Sequence, residues 1–394
     1  MEENKVASEI VLGVLGKILK LNEEEIINAL SLTKDYKIVK VPKKRGGYRT
    51  LYIPPEPVKK SQKRILNLLY RMFFKEYGIY REISSLRHAK EHRYSKWIFQ
   101  FDLKDAFSSI NVSHIKEILQ NEFLTELNDF EISLKDLEKA KKDLEKAKEQ
   151  NDEAEISFMK DFLNRREKEI QASIFSPIFY STDLPQLVIL KEEREWVLPQ
   201  KEAIARGLAD LVLELTTYQG ILPQGTPTAP FLFYLTLTKG GLIEKINSVC
   251  RPSSLESESQ DPSLSESQDR YKFHLSVYVD NFVISAQKPI PSQIQKEIFK
   301  IIEKFGLEIN PKKNRHERIS HGPIITGLRI LPEGKVVLPK RKVRKIRGLI
   351  HRAIFDPSLR PKVQGLIASL RPIYGMDLPP QIEKPYKLFQ KILQ

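Results

Sequence analysis

Apolar residues recur at helical spacing over residues 5–40 and again over 58–78, which predicts amphipathic helices there. Between them, "VKVPKKRGGYRTLYIPPEP" (39–57) reads as two short strands joined by a basic Gly-Gly turn and closed by prolines. "KWIFQFDL" (96–103) is a continuous apolar strand that ends on a carboxylate. "LVLELTTYQGILPQGTPTAP" (211–230) ends one helix, makes a loop and starts another. "FHLSVYVDNFVIS" (273–285) is a hairpin with one aspartate at its tip, and "EIFKIIEKFG" (297–306) is a helix closed by Gly306.

Two stretches interrupt this order. "KDLEKAKKDLEKAK" (135–148) is one seven-residue unit repeated. Leu137, Ala140, Leu144, Ala147, Ala154 and Phe158 fall near a 3.5-residue stripe, so a helical arm is expected, in hairpin form if it packs on 156–172. A surface helix packed on its own domain and a partner-binding coiled coil fit that pattern equally. "PSSLESESQDPSLSESQD" (252–269) is acidic and nearly free of apolar residues, which predicts a mobile loop and, far less readily, a phosphate mimic.

The chain has 394 residues, enough for two or three domains. No apolar run approaches the ~18 residues of a membrane span, and the charged start "MEENKVASEI" lacks the order of a signal peptide. A cytoplasmic protein is therefore expected. A single cysteine, Cys250, excludes an internal disulfide and leaves too few thiolates for a zinc site; His88 and His92 are the only histidines with ligand-like spacing. The net charge of +14 favours polyanionic partners. Residues 331–394 concentrate it, with 14 Lys or Arg against four Asp or Glu. Within them "KRKVRKIRGLIHR" (340–352) sets Val343, Ile346, Leu349 and Ile350 at helical spacing among Lys340, Arg341, Arg344 and Arg347. The pattern predicts a packed helix with one basic face suited to tracking phosphates, where an isolated basic run would be a solvated face.

The candidate chemistry rests on carboxylates at strand ends. Asp102 ends one apolar strand and Asp280 sits at the turn of another, 178 positions later. A strand-end aspartate is commonly a turn residue. Two brought to one sheet edge are a sufficient protein contribution to a Mg2+ site, because magnesium draws most of its ligands from water and phosphate.

Four motifs then fall in order: "QFDLKDAFSSI", "LPQGTPTAPFLFYLTL", "YVDN" and "FGLEINPKKN". With these the chain resembles a reverse transcriptase over most of residues 35–380, the two interruptions apart. Within that family it resembles the bacterial retron and phage-defence type through "RTLYIPPEPVKKSQKRIL", "LRHAKEH", "ITGLRI" and "GLIASLRPIYG". "LRHAKEH" has His88 where retron enzymes usually carry asparagine, and "ITGLRI" has Ile325 where they carry valine.

The resemblance implies an α+β right-hand polymerase: fingers, a palm with an antiparallel sheet, a helical thumb and a helical insertion. The expected boundaries are 1–100 for the N-terminal region and fingers, 101–330 for the palm and 331–394 for the basic thumb, with insertions at about 125–175 and 251–270. It assigns Asp102 and Asp280 to catalysis and metal binding. Asn281 is a third metal-edge residue, standing where the family has a second aspartate. Lys313, with Lys312 as rival, becomes the proton donor to pyrophosphate. Lys44 (or Lys43) and Arg49 grip the triphosphate. Asp105, Ala106, Phe107, Gln224 and Gly225 meet the nucleotide, Phe107 as the ring that excludes a ribose 2′-OH. Without its motif, Phe107 would read as a core phenylalanine. Tyr278, Lys340, Arg341, Arg344 and Arg347 would face nucleic acid.

The implied activity is RNA-directed DNA synthesis by two-metal nucleotidyl transfer on a dedicated structured non-coding RNA, with Mg2+ or Mn2+. Asn281 lowers the edge charge from three carboxylates to two and shifts preference toward Mn2+. The implied partners are that RNA as template and primer, the DNA product and dNTPs, with a protein effector, a second polymerase subunit or self-association as further candidates, and no membrane. Two alternatives remain. One is a catalytically weakened RNA-binding subunit of a defence complex. The other is a template-independent or protein-primed DNA polymerase.

Overall fold

The computed structural model describes residues 2–43, 46–74, 76, 84–179, 190–192, 195–197, 200–250, 273–375 and 377–393. Lys44 and the acidic stretch 252–269 lie outside them. The chain divides into two compact units, each discontinuous: 1–78 with 107–241, and 79–106 with 242–394.

The first unit is mainly helical. The periodic stretch over 5–40 forms two helices, α1 (Glu2–Leu19) and α2 (Glu23–Ser31). Lys20 takes a φ of 55°, and Asn22 and Glu25 close a reciprocal capping box that starts α2. Strands β1 (Lys37–Pro42) and β2 (Tyr48–Ile53) pair antiparallel around the Gly-Gly turn. Helix α3 (Glu56–Met72) begins two residues before its predicted start, because the Pro-Glu-Pro segment suits a helical first turn, and it ends at Met72 with Phe73 as its C-cap.

The predicted arm is a helical hairpin. Helix α4 (Val112–Glu149) runs 38 residues, and α5 (Glu153–Ala172) packs back along it. The expected stripe holds only as far as Ala147: Leu137, Ala140 and Ala147 are buried, while Ala154 and Phe158 are exposed. Asn151 has a φ of 53° and Asp152 caps α5, so the chain reverses where a continuous stripe would have run on. Arg166 on α5 pairs with Asp136 on α4 at 2.7 Å. Helices α6 (Lys201–Thr216) and α7 (Ala229–Lys239) also belong to this unit, with α6 packed on α4 and on α1. Helix α7 is apolar nearly all round and correspondingly buried.

The second unit is built on a five-stranded antiparallel sheet. Strand β3 (Trp97–Lys104) lies at its centre. Beside it runs β5 (Asn281–Ala286), which forms a two-residue hairpin with β4 (His274–Tyr278). The other edge of β3 takes the short β6 (Glu308–Ile309) and β7 (Arg315–Arg318). A separate three-stranded sheet follows, β8 (Ile324–Ile325), β9 (Leu328–Ile330) and β10 (Val336–Val337).

Strand alternation sorts the main sheet into two faces. Phe99, Phe101 and Phe282 lie on one, Phe101 stacked on Phe282 with centroids 5.1 Å apart. Phe299, from α9 (Ser292–Lys304), covers Phe99 and Phe101. Ile98 and Val283 lie on the other face, within a core shared with Ile346, Ile350, Val363 and Ile367. Those four come from α10 (Lys340–Phe355) and α11 (Arg360–Tyr374). Helices α8 (Leu242–Cys250) and α12 (Pro380–Leu393) complete the set. The basic helix is amphipathic as its pattern predicts: Ile346 and Ile350 are buried, and Lys340, Arg341, Arg344 and Arg347 are exposed. Among the described residues no helix is long and apolar enough to cross a membrane.

Phe282 is wholly buried in the aromatic layer, so Phe282→Ala should cost about 3–5 kcal/mol of stability. The exposed Phe158→Ala should change it by less than about 0.5 kcal/mol. Chemical denaturation measures both, and equal small effects would contradict the assigned core.

Candidate active site

The carboxylate edge lies within the second unit. Strand β3 pairs with β5 so that Asp102 stands directly opposite Asn281, which sets their Cβ atoms about 4.5–5.5 Å apart. The Leu103 N–H donates to the Asp280 carbonyl at 3.1 Å, and the Asn310 N–H donates to the Asp102 carbonyl at 2.8 Å. The backbones of Asp102, Asp280 and the Asn310 turn are thus tied into one edge. The 3₁₀ turn Pro311–Lys313 is capped by Asn310. It brings the Lys313 ammonium onto the Asp102 carboxylate in a close ion pair. Of the two rival lysines, Lys313 is the one paired with Asp102.

The hairpin tip is strained. Val279 and Asp280 are its two turn residues, and Val279 has a φ of +56°. A β-branched residue in that left-handed region costs on the order of 1–3 kcal/mol. The return is position: the turn holds Asp280 beside Leu103. Asp105, just past the end of β3, also has a positive φ, 44°. The motif spacing gives no warning of either distortion.

Asn281 does more than remove a charge. Its Nδ2 donates to Asp280 Oδ1 at 3.0 Å. The amide presents a hydrogen toward the edge, where a second aspartate would present repulsion.

A polar layer backs the hairpin. The register places His274, Ser276 and Tyr278 of β4 on the same face as Asn281 and Ser285 of β5 and Asp102 of β3. The short helix Ser85–Lys90 and the turn after it meet this face. His88 stacks on Tyr278 with centroids 5.8 Å apart. His92 contacts the hydroxyls of Ser285 (2.8 Å) and Ser276 (2.6 Å). Burial pushes the His88 imidazole down to about 4, an effect that the Ser276 backbone and the Glu91 charge only partly offset. Burial likewise drives His92 well below its ordinary value. Both rings are neutral at pH 7, and Tyr278 is held from behind by an uncharged wall.

The expected nucleotide-contacting residues fall mainly in the first unit. The Pro-Gln-Gly loop lies on β2: the Tyr52 N–H donates to the Gln224 carbonyl at 2.9 Å. A Cβ on Gly225 would meet the Tyr52 carbonyl at 3.3 Å, and its φ of +109° favours glycine independently. Arg49 is exposed on that same strand. Phe107 packs its ring on Phe233 at 5.2 Å and keeps part of its surface. Asp105 and Ala106 belong to the second unit, where Asp105 is exposed and Ala106 is buried. Lys340, Arg341, Arg344 and Arg347 line α10 in that unit.

Comparison with known proteins yields distant structural neighbours. No protein-family model matches the chain, and no curated protein matches it. Among solved structures, a telomerase from Candida albicans in complex with a TWJ fragment of telomeric RNA aligns with 90% of the chain at 11% identity and a TM-score of 0.37. A telomerase from Candida tropicalis in complex with the same kind of fragment aligns with 92% at 13% identity and 0.35. The apo Candida tropicalis enzyme lacking its C-terminal domain aligns with 78% at 12% and 0.34. The chain spans about 55% of the length of these neighbours.

The donor set suits a hard divalent cation: two carboxylates and an amide oxygen on adjoining positions. Turning the Asn281 amide so that its oxygen faces the edge completes the set, at the expense of its hydrogen bond to Asp280. Asn281→Asp should therefore tighten Mg2+ binding about tenfold and lower the melting temperature without metal, since like charges replace a donor–acceptor pair. Isothermal titration and thermal melts with and without Mg2+ measure both effects. Unchanged affinity would remove residue 281 from the edge.

Proposed function

We propose that the chain is an RNA-directed DNA polymerase of the retron or phage-defence type, using a dedicated structured RNA as template and primer. The single observation that carries this reading is the convergence of Asp102, Asp280 and Lys313, from three separate motifs, on one sheet edge.

Asp102 and Asp280 would hold Mg2+ or Mn2+, aided by the Asn281 amide oxygen after rotation. Cations bound there supply positive charge for the attacking 3′-oxygen and the leaving pyrophosphate. The remaining roles belong to the chain. In the transfer, the primer 3′-hydroxyl passes its proton to solvent water as its oxygen bonds the α-phosphorus, and the bond from that phosphorus to the bridging oxygen breaks, releasing pyrophosphate. Lys313 Nζ is suited to give a proton to the departing pyrophosphate once it leaves Asp102. Arg49 would fork onto phosphate oxygens. Gly225 lets backbone approach the base pair, and Phe107 would crowd a 2′-hydroxyl. The basic face of α10 would track backbone phosphates without reading sequence.

A second reading, an RNA-binding subunit without chemistry, draws on one observation: Asn281 spends its amide hydrogen on Asp280. The two readings diverge on substitution. The full chain, purified with its bound RNA and supplied with dNTPs and Mg2+ or Mn2+, should yield DNA complementary to that RNA. Asp102→Ala should reduce synthesis by about a thousandfold without loss of RNA binding, and Phe107→Ala should raise ribonucleotide incorporation. No product with either metal would favour the non-catalytic reading, and product unrelated in sequence to the RNA would favour template-independent synthesis.

A further inference from the structure

The polar layer behind the hairpin contains a second group of metal-ligating side chains that the proposed chemistry does not use. Glu91, His92 and His274 each offer one ligand atom, and these atoms lie within 4.8 Å of one another. We propose that the three form a site for a borderline divalent cation of the Zn2+ class, fastening the turn after Ser85–Lys90 to the start of β4.

Two imidazoles and one carboxylate are a donor set that zinc accepts, with water completing four-coordination. Tetrahedral bonds of about 2.0–2.1 Å separate ligand atoms by ~3.3 Å, so closure asks for side-chain shifts of an ångström or so. Glu91 Oε2 and His274 Nε2 already face each other at 3.4 Å. The other carboxylate oxygen, Oε1, accepts from Arg87 Nε at 3.1 Å, which orients the group from outside. His92 is fully buried and holds serine hydroxyls at both ring nitrogens. Exchange of one hydroxyl for the ion leaves the other as the outer partner that metal-bound histidines keep.

Two further observations point to an occupant. His88 is 1% exposed, its ring lies 5.8 Å from that of His92, and at most one of its nitrogens finds a partner among the described residues, the Ser276 backbone. A buried orphan nitrogen beside a ligand cluster suits a water carried by the ion. The side chains of Glu91 and His274 are 29% and 46% exposed, which gives an ion a path in.

Position separates this site from the carboxylate edge. His274 begins β4, four residues before Tyr278, so it lies ~13 Å along the strand from the hairpin tip. The same sheet face thus carries a hard oxygen-donor set at one end and nitrogen donors at the other. Hard cations favour the first and zinc the second. An ion here would anchor the strand that presents Asp280, and it takes no part in the reaction.

The test uses the full chain, stripped with chelator and titrated with Zn2+, with Co2+ as the spectroscopic probe. The wild type should take up one Zn2+ per chain at this site, show the absorption of tetrahedral Co2+, and melt at a higher temperature with Zn2+. Glu91→Gln and His274→Ala change partly exposed side chains and should fold; each should weaken uptake at least about thirtyfold and abolish the Zn2+-dependent shift in melting. Asp102→Ala should leave Zn2+ uptake unchanged. Absence of Zn2+ uptake by the wild type, uptake unaffected by both cluster variants, or uptake lost in Asp102→Ala would each overturn the proposal.

Discussion

The antiparallel pairing of β3 with β5 governs the rest of this structure. In its register Asp102 stands opposite Asn281, and the Leu103 N–H reaches the Asp280 carbonyl. A one-residue slip would turn every side chain of β5 to the opposite face. Phe282 would leave the aromatic layer under Phe299, and Val283 would leave the core shared with α10 and α11. Hydrophobic sorting of two faces thereby sets the position of a polar edge. The carboxylates are placed by residues that carry no charge.

Strain and desolvation both occur where that edge is made. Val279 keeps a left-handed backbone at the hairpin tip, and a strained conformation persists only where its surroundings over-determine it. Here the strand ladder on one side and the wall of His88 and His92 on the other supply that determination. Neutral imidazoles back the hairpin without adding positive charge behind the acidic residues. Lys313 brings a cation to Asp102 from the turn that joins β6 to β7.

Much of this was legible in the sequence, for identifiable reasons. Continuous apolar strands ending in Asp102 and flanking Asp280 announce buried central strands. The 3.6-residue spacing of Ile346 and Ile350 among basic residues announces α10, and the Gly-Gly turn announces the β1–β2 hairpin. Each of those signals is local. A repeated heptad reads the same in one long helix as in a hairpin, so the sequence leaves the hairpin with 156–172 open and the reversal at Asn151 decides it. The strain at Val279 was hidden because a valine in an apolar run looks like an ordinary strand residue. The approach of Glu91 to His274 depends on pairing across 183 positions, and only tertiary folding makes such a contact. His88 and His92 carried a visible spacing, yet their partners did not.

The organisation of the second unit gives its sheet one face for packing aromatics and another that combines a packed core with polar groups at the strand ends. The proposed role of Asp102 and Asp280 at that edge is to hold divalent cations. The most direct measurement is Mn2+ binding followed by electron paramagnetic resonance, in the presence of a dNTP and with the Glu91–His274 cluster left intact. Bound Mn2+ should be present in the wild type, be lost in both Asp102→Asn and Asp280→Asn, and persist in His274→Ala. Retention of the bound signal in either aspartate variant, or its loss in His274→Ala alone, would contradict the assignment of these two carboxylates to one cation-binding edge.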